Sequence, residues 1–254
     1  MLIDVFSLFP ETMEPYLTSS ILGKAQEAGL LRVQLHNIRD YTTDRHHTTD
    51  DDPYGGGGGM VMKPEPIFSA VESVLGEDLN AVPLIMLTPQ GEVFNQAKAA
   101  RLSEYERLAF LCGRYEGVDE RVREFLVTEE ISIGDYVLTG GELPAMVVID
   151  ALARQIPGVL GDAEAAEKDS HAMGILEYPH YTRPAEYHGW HVPEVLLSGN
   201  HANVDTWRRQ EALRRTFFRR PDLLESLSLD AADKEFLKHL QESQPPRDQD
   251  QSAY

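Results

Sequence analysis

The chain is poor in cysteine and in basic residues and has no long apolar run, and each shortage removes a class of function. One cysteine, Cys112, stands among 254 residues. That excludes an internal disulfide framework and a cysteine-based zinc site, and it fits a reducing cytoplasm. The longest apolar stretches, such as residues 143–149, fall far short of the roughly 20 residues that a membrane-spanning helix needs. No basic segment precedes the first apolar residues, and Asp4 and Pro10 interrupt them, so no signal peptide is expected. Neither GxGxxG nor GxxxxGK[ST] occurs, so the dinucleotide fingerprint and the P-loop are both missing. Lysine and arginine number 23 against 42 aspartates and glutamates, a net charge of −19. An acidic surface repels phosphates, so composition alone argues against a nucleic-acid partner. The charge is uneven, however. Residues 207–221 carry Arg208, Arg209, Arg214, Arg215, Arg219 and Arg220 against a single acid, Glu211.

What is present reads as an α/β protein. The length suits one large domain plus a smaller one. Strands are expected at residues 2–8, 31–38, 83–87, 108–112 and 127–133, and helices at 14–28, 66–75, 95–102, 118–125 and 142–156. That alternation predicts a mostly parallel sheet. The helix over 142–156 is apolar nearly all round and so is expected to be buried. Residues 39–60 form a long loop with five consecutive glycines, Gly55–Gly59, and loops of this length are usually functional or disordered. Residues 161–174 are small, polar and charged, as in an interdomain linker. Beyond them the reading is loop and helix over 175–242, with helices at 204–218 and from an Asp230 N-cap to about Leu240, then a disordered polar tail over 243–254.

Two glycine loops organise the first 160 residues. Residues 131–145, ISIGDYVLTGGELPA, read as a strand running into a glycine loop that opens a helix, with Pro144 in the first turn where a missing N–H is harmless. Residues 111–117, LCGRYEG, follow another apolar strand. A third strand-end carries Thr88, Pro89, Gln90 and Gly91. Strand-ends bearing glycine and free backbone donors are where α/β sheets bind ligands. Read singly, each loop is equally compatible with a tight turn.

These segments carry a resemblance. CGRYEGVDERV followed by SIGDYVLTGGELPAM, together with SLFPE, DRHHTTDDDPYGGGGGM, HYTRP, LLSGNHA and RRPDLL, is similar to the TrmD family of bacterial tRNA (guanine-N1)-methyltransferases, from residue 7 to about 229. The resemblance implies a SPOUT-like α/β fold with a deep trefoil knot around residues 87–91, 111–117 and 131–144, plus a small C-terminal helical domain that binds tRNA. The pattern itself shows no knot, and because knots are rare an open sheet is the default expectation. The implied domains are 1–160, the linker 161–174, and 175–242. The implied activity is transfer of a methyl group from S-adenosyl-L-methionine to N1 of the guanine immediately 3′ of the anticodon, by a cytoplasmic homodimer whose active site joins two subunits. A magnesium requirement stays open. Gly58 stands where the family commonly has proline, which implies a more flexible loop.

The resemblance also implies residue roles. The donor would lie among Leu87, Pro89, Gly113, Tyr115, Ile133, Gly134, Asp135, Tyr136, Val137, Leu138, Gly140, Gly141 and Pro144, with Glu116 beside it. Removing the N1 proton needs a general base within hydrogen-bond reach, and charge developing on O6 is best met by a cation. Asp169, in Glu167-Lys168-Asp169-Ser170, takes the place of the family's base. By residue type alone it is one of 42 acids, and a solvated carboxylate is the default. Arg154 is the candidate cation, with a salt bridge to a loop acid as its structural alternative. Glu177 stands where the family has aspartate. Arg208, Arg215 and Arg219 share a helical face and are candidate phosphate contacts. Cys112 ends an apolar strand and reads as a buried thiol, and His180, His188 and His191 as loop histidines rather than zinc ligands. Two rivals remain at this level: a related knotted methyltransferase acting on a ribose hydroxyl, and a non-catalytic tRNA-binding protein.

Overall fold

Apolar residues follow one another without polar alternation in residues 84–87 and 108–112, the pattern of strands covered on both faces. The computed structural model describes residues 1–161, 166 and 169–243, and they fall into two compact units, Met1–Ala163 and Glu164–Tyr254. Glu167, Lys168, part of the expected linker and nearly all of the expected tail lie outside the described residues.

The first unit is built on five parallel strands: β1 Leu2–Ser7, β2 Arg32–Asn37, β5 Leu84–Val93, β6 Arg107–Cys112 and β7 Glu129–Ser132, in the spatial order β2-β1-β6-β5-β7. A two-residue pair, β3 Asp50–Asp51 with β4 Val61–Met62, closes the base of the glycine-rich loop. The helices are α1 Glu14–Leu17, α2 Ser20–Glu27, α3 Pro64–Leu75, α4 Gln96–Ser103, α5 Glu120–Phe125 and α6 Glu142–Ala153. Successive side chains of a strand point to opposite faces, so the sheet serves two cores. Ile3, Val5, Leu108, Phe110 and Cys112 pack with α2, α4 and α6, whereas Phe6, Ala109, Leu111 and Met86 pack with α3 and α5.

Several sequence expectations need correction. The single helix expected over 14–28 is two helices: Ser19 turns extended (φ −99°, ψ 159°) between them, and the Thr18 and Ser19 hydroxyls donate to the Glu14 and Tyr16 carbonyls at the end of the first. The strand expected over 127–133 is shorter, Glu129–Ser132, and the apolar Val137 and Leu138 beyond it are exposed. α6 buries one face only: Val148, Ile149 and Leu152 are covered by the first unit's core, while Leu143 and Val147 are 57% and 48% exposed. The turn expected at 88–91 lies inside β5 as an excursion. Leu87 and Glu92 both pair with Ile131, so the four residues between them loop out.

The second unit contains a hairpin, β8 Glu186–Tyr187 with β9 Trp190–His191, in a stretch read from the sequence only as loop and helix. Its helices are α7 Glu194–Leu197, α8 His201–Arg219, α9 Asp222–Glu225 and α10 Ala231–Glu242. The Asp230 side chain caps α10 by accepting from the Asp233 N–H, as the sequence predicts. Arg209 clamps α8 to α10 through two bonds to Asp233, at 3.1 and 2.7 Å.

Candidate active site

Three neighbouring strands, β6, β5 and β7, run parallel and therefore end on the same edge of the sheet. Their loops wall one cleft. Its lining includes Leu87, Pro89, Gly113, Tyr115, Glu116, Ile133, Gly134, Tyr136, Val137, Leu138, Gly140, Gly141 and Pro144. Asp135, named with these from the sequence, is exposed and is not in the lining. Gln90, Arg114, Arg123 and Thr139 also line the cleft, and none of them is among the donor-site candidates named from the sequence. Arg114 stands inside the CGRYEG motif, where it reads only as a spacer between glycines. Arg123, on α5, reaches the excursion of β5 by donating to Gln90 Oε1 at 2.7 Å.

The loops need glycine for reasons of contact. Gly141 donates its N–H to Gly113 O at 2.9 Å, and a Cβ there would lie 2.6 Å from the Cys112 Cα. Gly91 lets the excursion pass the backbone of β7, since a Cβ would lie 2.5 Å from Ile131 N. Tyr115 adopts a left-handed φ of 59°, which holds the 113–117 loop in a tight turn. Glu116 N donates to Met60 O at 3.0 Å and Met62 N to Gly117 O at 2.9 Å, so the far end of the glycine-rich segment lies against this loop. A Cβ on Gly59 would lie 2.5 Å from Glu116 Oε1. Burial, and next the charge of Glu142, push the Cys112 thiol well above its ordinary pKa, which keeps it a protonated core residue rather than a nucleophile.

Arg154 and Asp169 are not in the lining. Arg154 follows the last turn of α6 as its C-cap and is half-buried. The expectation of a cation inside a buried helix is thus corrected: at a helix C-terminus, a positive charge meets favourable carbonyl dipoles. Asp169 belongs to the second unit and is half-buried, and Ser170 Oγ accepts from Glu177 N at 3.0 Å. Glu177 Oε1 pairs with His180 Nε2 at 2.5 Å. On α8, the Arg208 guanidinium lies 5.1 Å over the Tyr178 ring, Arg215 reaches Glu177 O at 3.5 Å, and Arg219 is exposed. Among the described residues no three His, Cys, Asp or Glu side chains gather as a metal site, and no helix is long and apolar enough to cross a membrane.

Comparison with known proteins agrees with this architecture. The family profile described as tRNA (Guanine-1)-methyltransferase TrmD matches residues 1–226. The chain is 55% identical to a tRNA (guanine-N(1)-)-methyltransferase of Dehalococcoides mccartyi, over 98% of this chain and 100% of that one. It is 57% identical to that of Brevibacillus brevis, over 95% and 99% of the two chains, and 55% identical to that of Moorella thermoacetica, over 94% and 96%. With agreement of this depth from end to end, the chain belongs to the TrmD family of tRNA (guanine-N1)-methyltransferases.

Proposed function

We propose that the cleft binds S-adenosyl-L-methionine and that the chain methylates N1 of the guanine immediately 3′ of the anticodon of tRNA. The observation that carries this is the convergence of three parallel strand-ends on one cleft, walled by apolar side chains and bare glycine backbone. Leu87, Pro89, Ile133, Leu138 and Pro144 suit an adenine ring, the open backbone at Gly113 and Gly134 suits polar groups, and Glu116 suits a sulfonium. When bound, the donor supplies an electrophilic methyl group. Asp169 accepts the guanine N1 proton, which frees the ring lone pair. Arg154 meets the negative charge that grows on O6. Magnesium finds no support and is not part of this reading. The family membership supports a cytoplasmic setting, a trefoil knot through the three loops and a catalytic role for both residues. The decisive experiment incubates the protein with radiolabelled donor and bulk tRNA and identifies the modified nucleoside. Label in 1-methylguanosine supports the reading, and label in a ribose or in no nucleoside overturns it.

Two further outcomes follow from the same reading. Arg208, Arg215 and Arg219 are proposed to bind phosphates. Replacing all three with alanine lowers tRNA affinity and reduces the salt slope by about one unit for each phosphate no longer neutralised. Wild-type affinity at every salt concentration would reduce them to a solvated face. The protein is also proposed to work as a homodimer with a shared active site, supported by the apolar face that α6 leaves exposed at Leu143 and Val147. Sedimentation is expected to show a dimer, and Leu143→Glu with Val147→Glu to give an inactive monomer. A fully active monomer rules the dimer out.

A further inference from the structure

The two glycine loops that wall the cleft are joined by side chains as well as by backbone. Arg114 Nε donates to Glu142 Oε1 at 3.2 Å, its Nη2 lies 3.0 Å from Glu142 Oε2, and its Nη1 reaches Thr139 O at 3.4 Å. Glu142, the first residue of α6, is 3% exposed and accepts from Ser7 Oγ, at the end of β1, at 2.6 Å. The Arg114 guanidinium also lies 4.6 Å over the Phe9 ring. Glu142 Oε2 has no directional hydrogen bond among the described residues, so the guanidinium meets it as a charge. An arginine of one wall is thus clamped by a carboxyl of the other, and that carboxyl by a hydroxyl of a third segment.

Gly140 sits against this clamp. A Cβ there would collide with Arg114 Nε and lie 2.6 Å from Glu142 Oε2 and 2.7 Å from Arg114 Cδ. Gly140 is not among the positive-φ glycines, so its backbone does not call for glycine.

We propose that Arg114, held by Glu142 and Ser7, is a positioning strut that sets the separation of the two glycine loops, and that Gly140 is glycine to admit this strut rather than to admit the methyl donor. The inference rests on the reading of the cleft as the donor site. Neither Glu142 nor Ser7 lines the cleft, so both act through Arg114 and the loops.

A double-mutant cycle on the full-length protein separates the two reasons for glycine, read by calorimetry with S-adenosylmethionine as the probe. In the wild-type background Gly140→Ala is expected to weaken donor binding about tenfold, a cost of ~1.4 kcal/mol. In a background carrying Arg114→Ala with Glu142→Ala, the same change is expected to cost less than about twofold, because the colliding atoms are gone. An equal cost in both backgrounds overturns the proposal. Ser7→Ala, a smaller perturbation made away from the cleft, guards against a background that does not fold. It is expected to raise the donor KM severalfold at unchanged kcat, whereas an unchanged KM, or a kcat that falls with the folded fraction, overturns the strut. A wild-type protein that binds no donor overturns the cleft reading instead.

Discussion

Asp169→Asn is expected to slow single-turnover methylation by about 10²–10⁴-fold, the usual loss for a positioned general base. Asparagine keeps the size and hydrogen-bonding capacity of aspartate but cannot take up a proton at neutral pH. Donor binding is expected to survive, since Asp169 is not in the lining of the cleft. Binding of tRNA is expected to survive as well, because phosphate contacts dominate affinity. Arg154→Ala is expected to slow the same step by removing a cation. If the base and the cation serve one transition state, the combined loss falls short of the product of the two. Single-turnover rates at saturating donor and tRNA separate chemistry from binding. A near-normal rate for Asp169→Asn would falsify the assignment and move attention to Glu116 and Glu177.

Gly141→Ala is expected to destabilise the first unit by about 1–3 kcal/mol, the usual cost of overpacking. The added Cβ would lie 2.6 Å from the Cys112 Cα and 3.1 Å from Gly113 N. Backbone cannot turn aside as a flexible side chain can, so relief requires moving β6 or the start of α6. Either movement stretches the 2.9 Å bond from Gly141 N to Gly113 O and opens the wall of the cleft. Donor affinity is therefore expected to fall together with the unfolding temperature. Gly58→Ala is the control: a Cβ there meets nothing within 4 Å, and unchanged stability is expected. A Gly141→Ala protein that melts with the wild type refutes the steric argument.

The contrast between Gly140 and Gly141 shows what a motif leaves unsaid. The pair reads from the sequence as one feature, backbone bared for a ligand. In the structure Gly141 avoids backbone, and Gly140 avoids an arginine and a glutamate. The contacts with Cys112 and Arg114 cannot be inferred from the motif, because Cys112 ends β6 and Arg114 belongs to the other glycine loop.

What the sequence determined by itself is what neighbours along the chain decide. Asp230 caps α10 by accepting from Asp233 N, as its residue type and its place before the helix predict. The apolar runs of β5 and β6 announce strands covered on both faces, and the glycine clusters announce strand-ends. The family itself is legible, since its motifs are contiguous words. Tertiary structure alone decided the strand order β2-β1-β6-β5-β7, the excursion at Thr88–Gly91, the single buried face of α6 and the Ser7–Glu142–Arg114 clamp. Ser7 and Glu142 stand 135 residues apart and Arg114 and Glu142 stand 28 apart. Contacts over such separations depend on which strands the sheet brings side by side, and that follows from burying two cores at once rather than from any local preference.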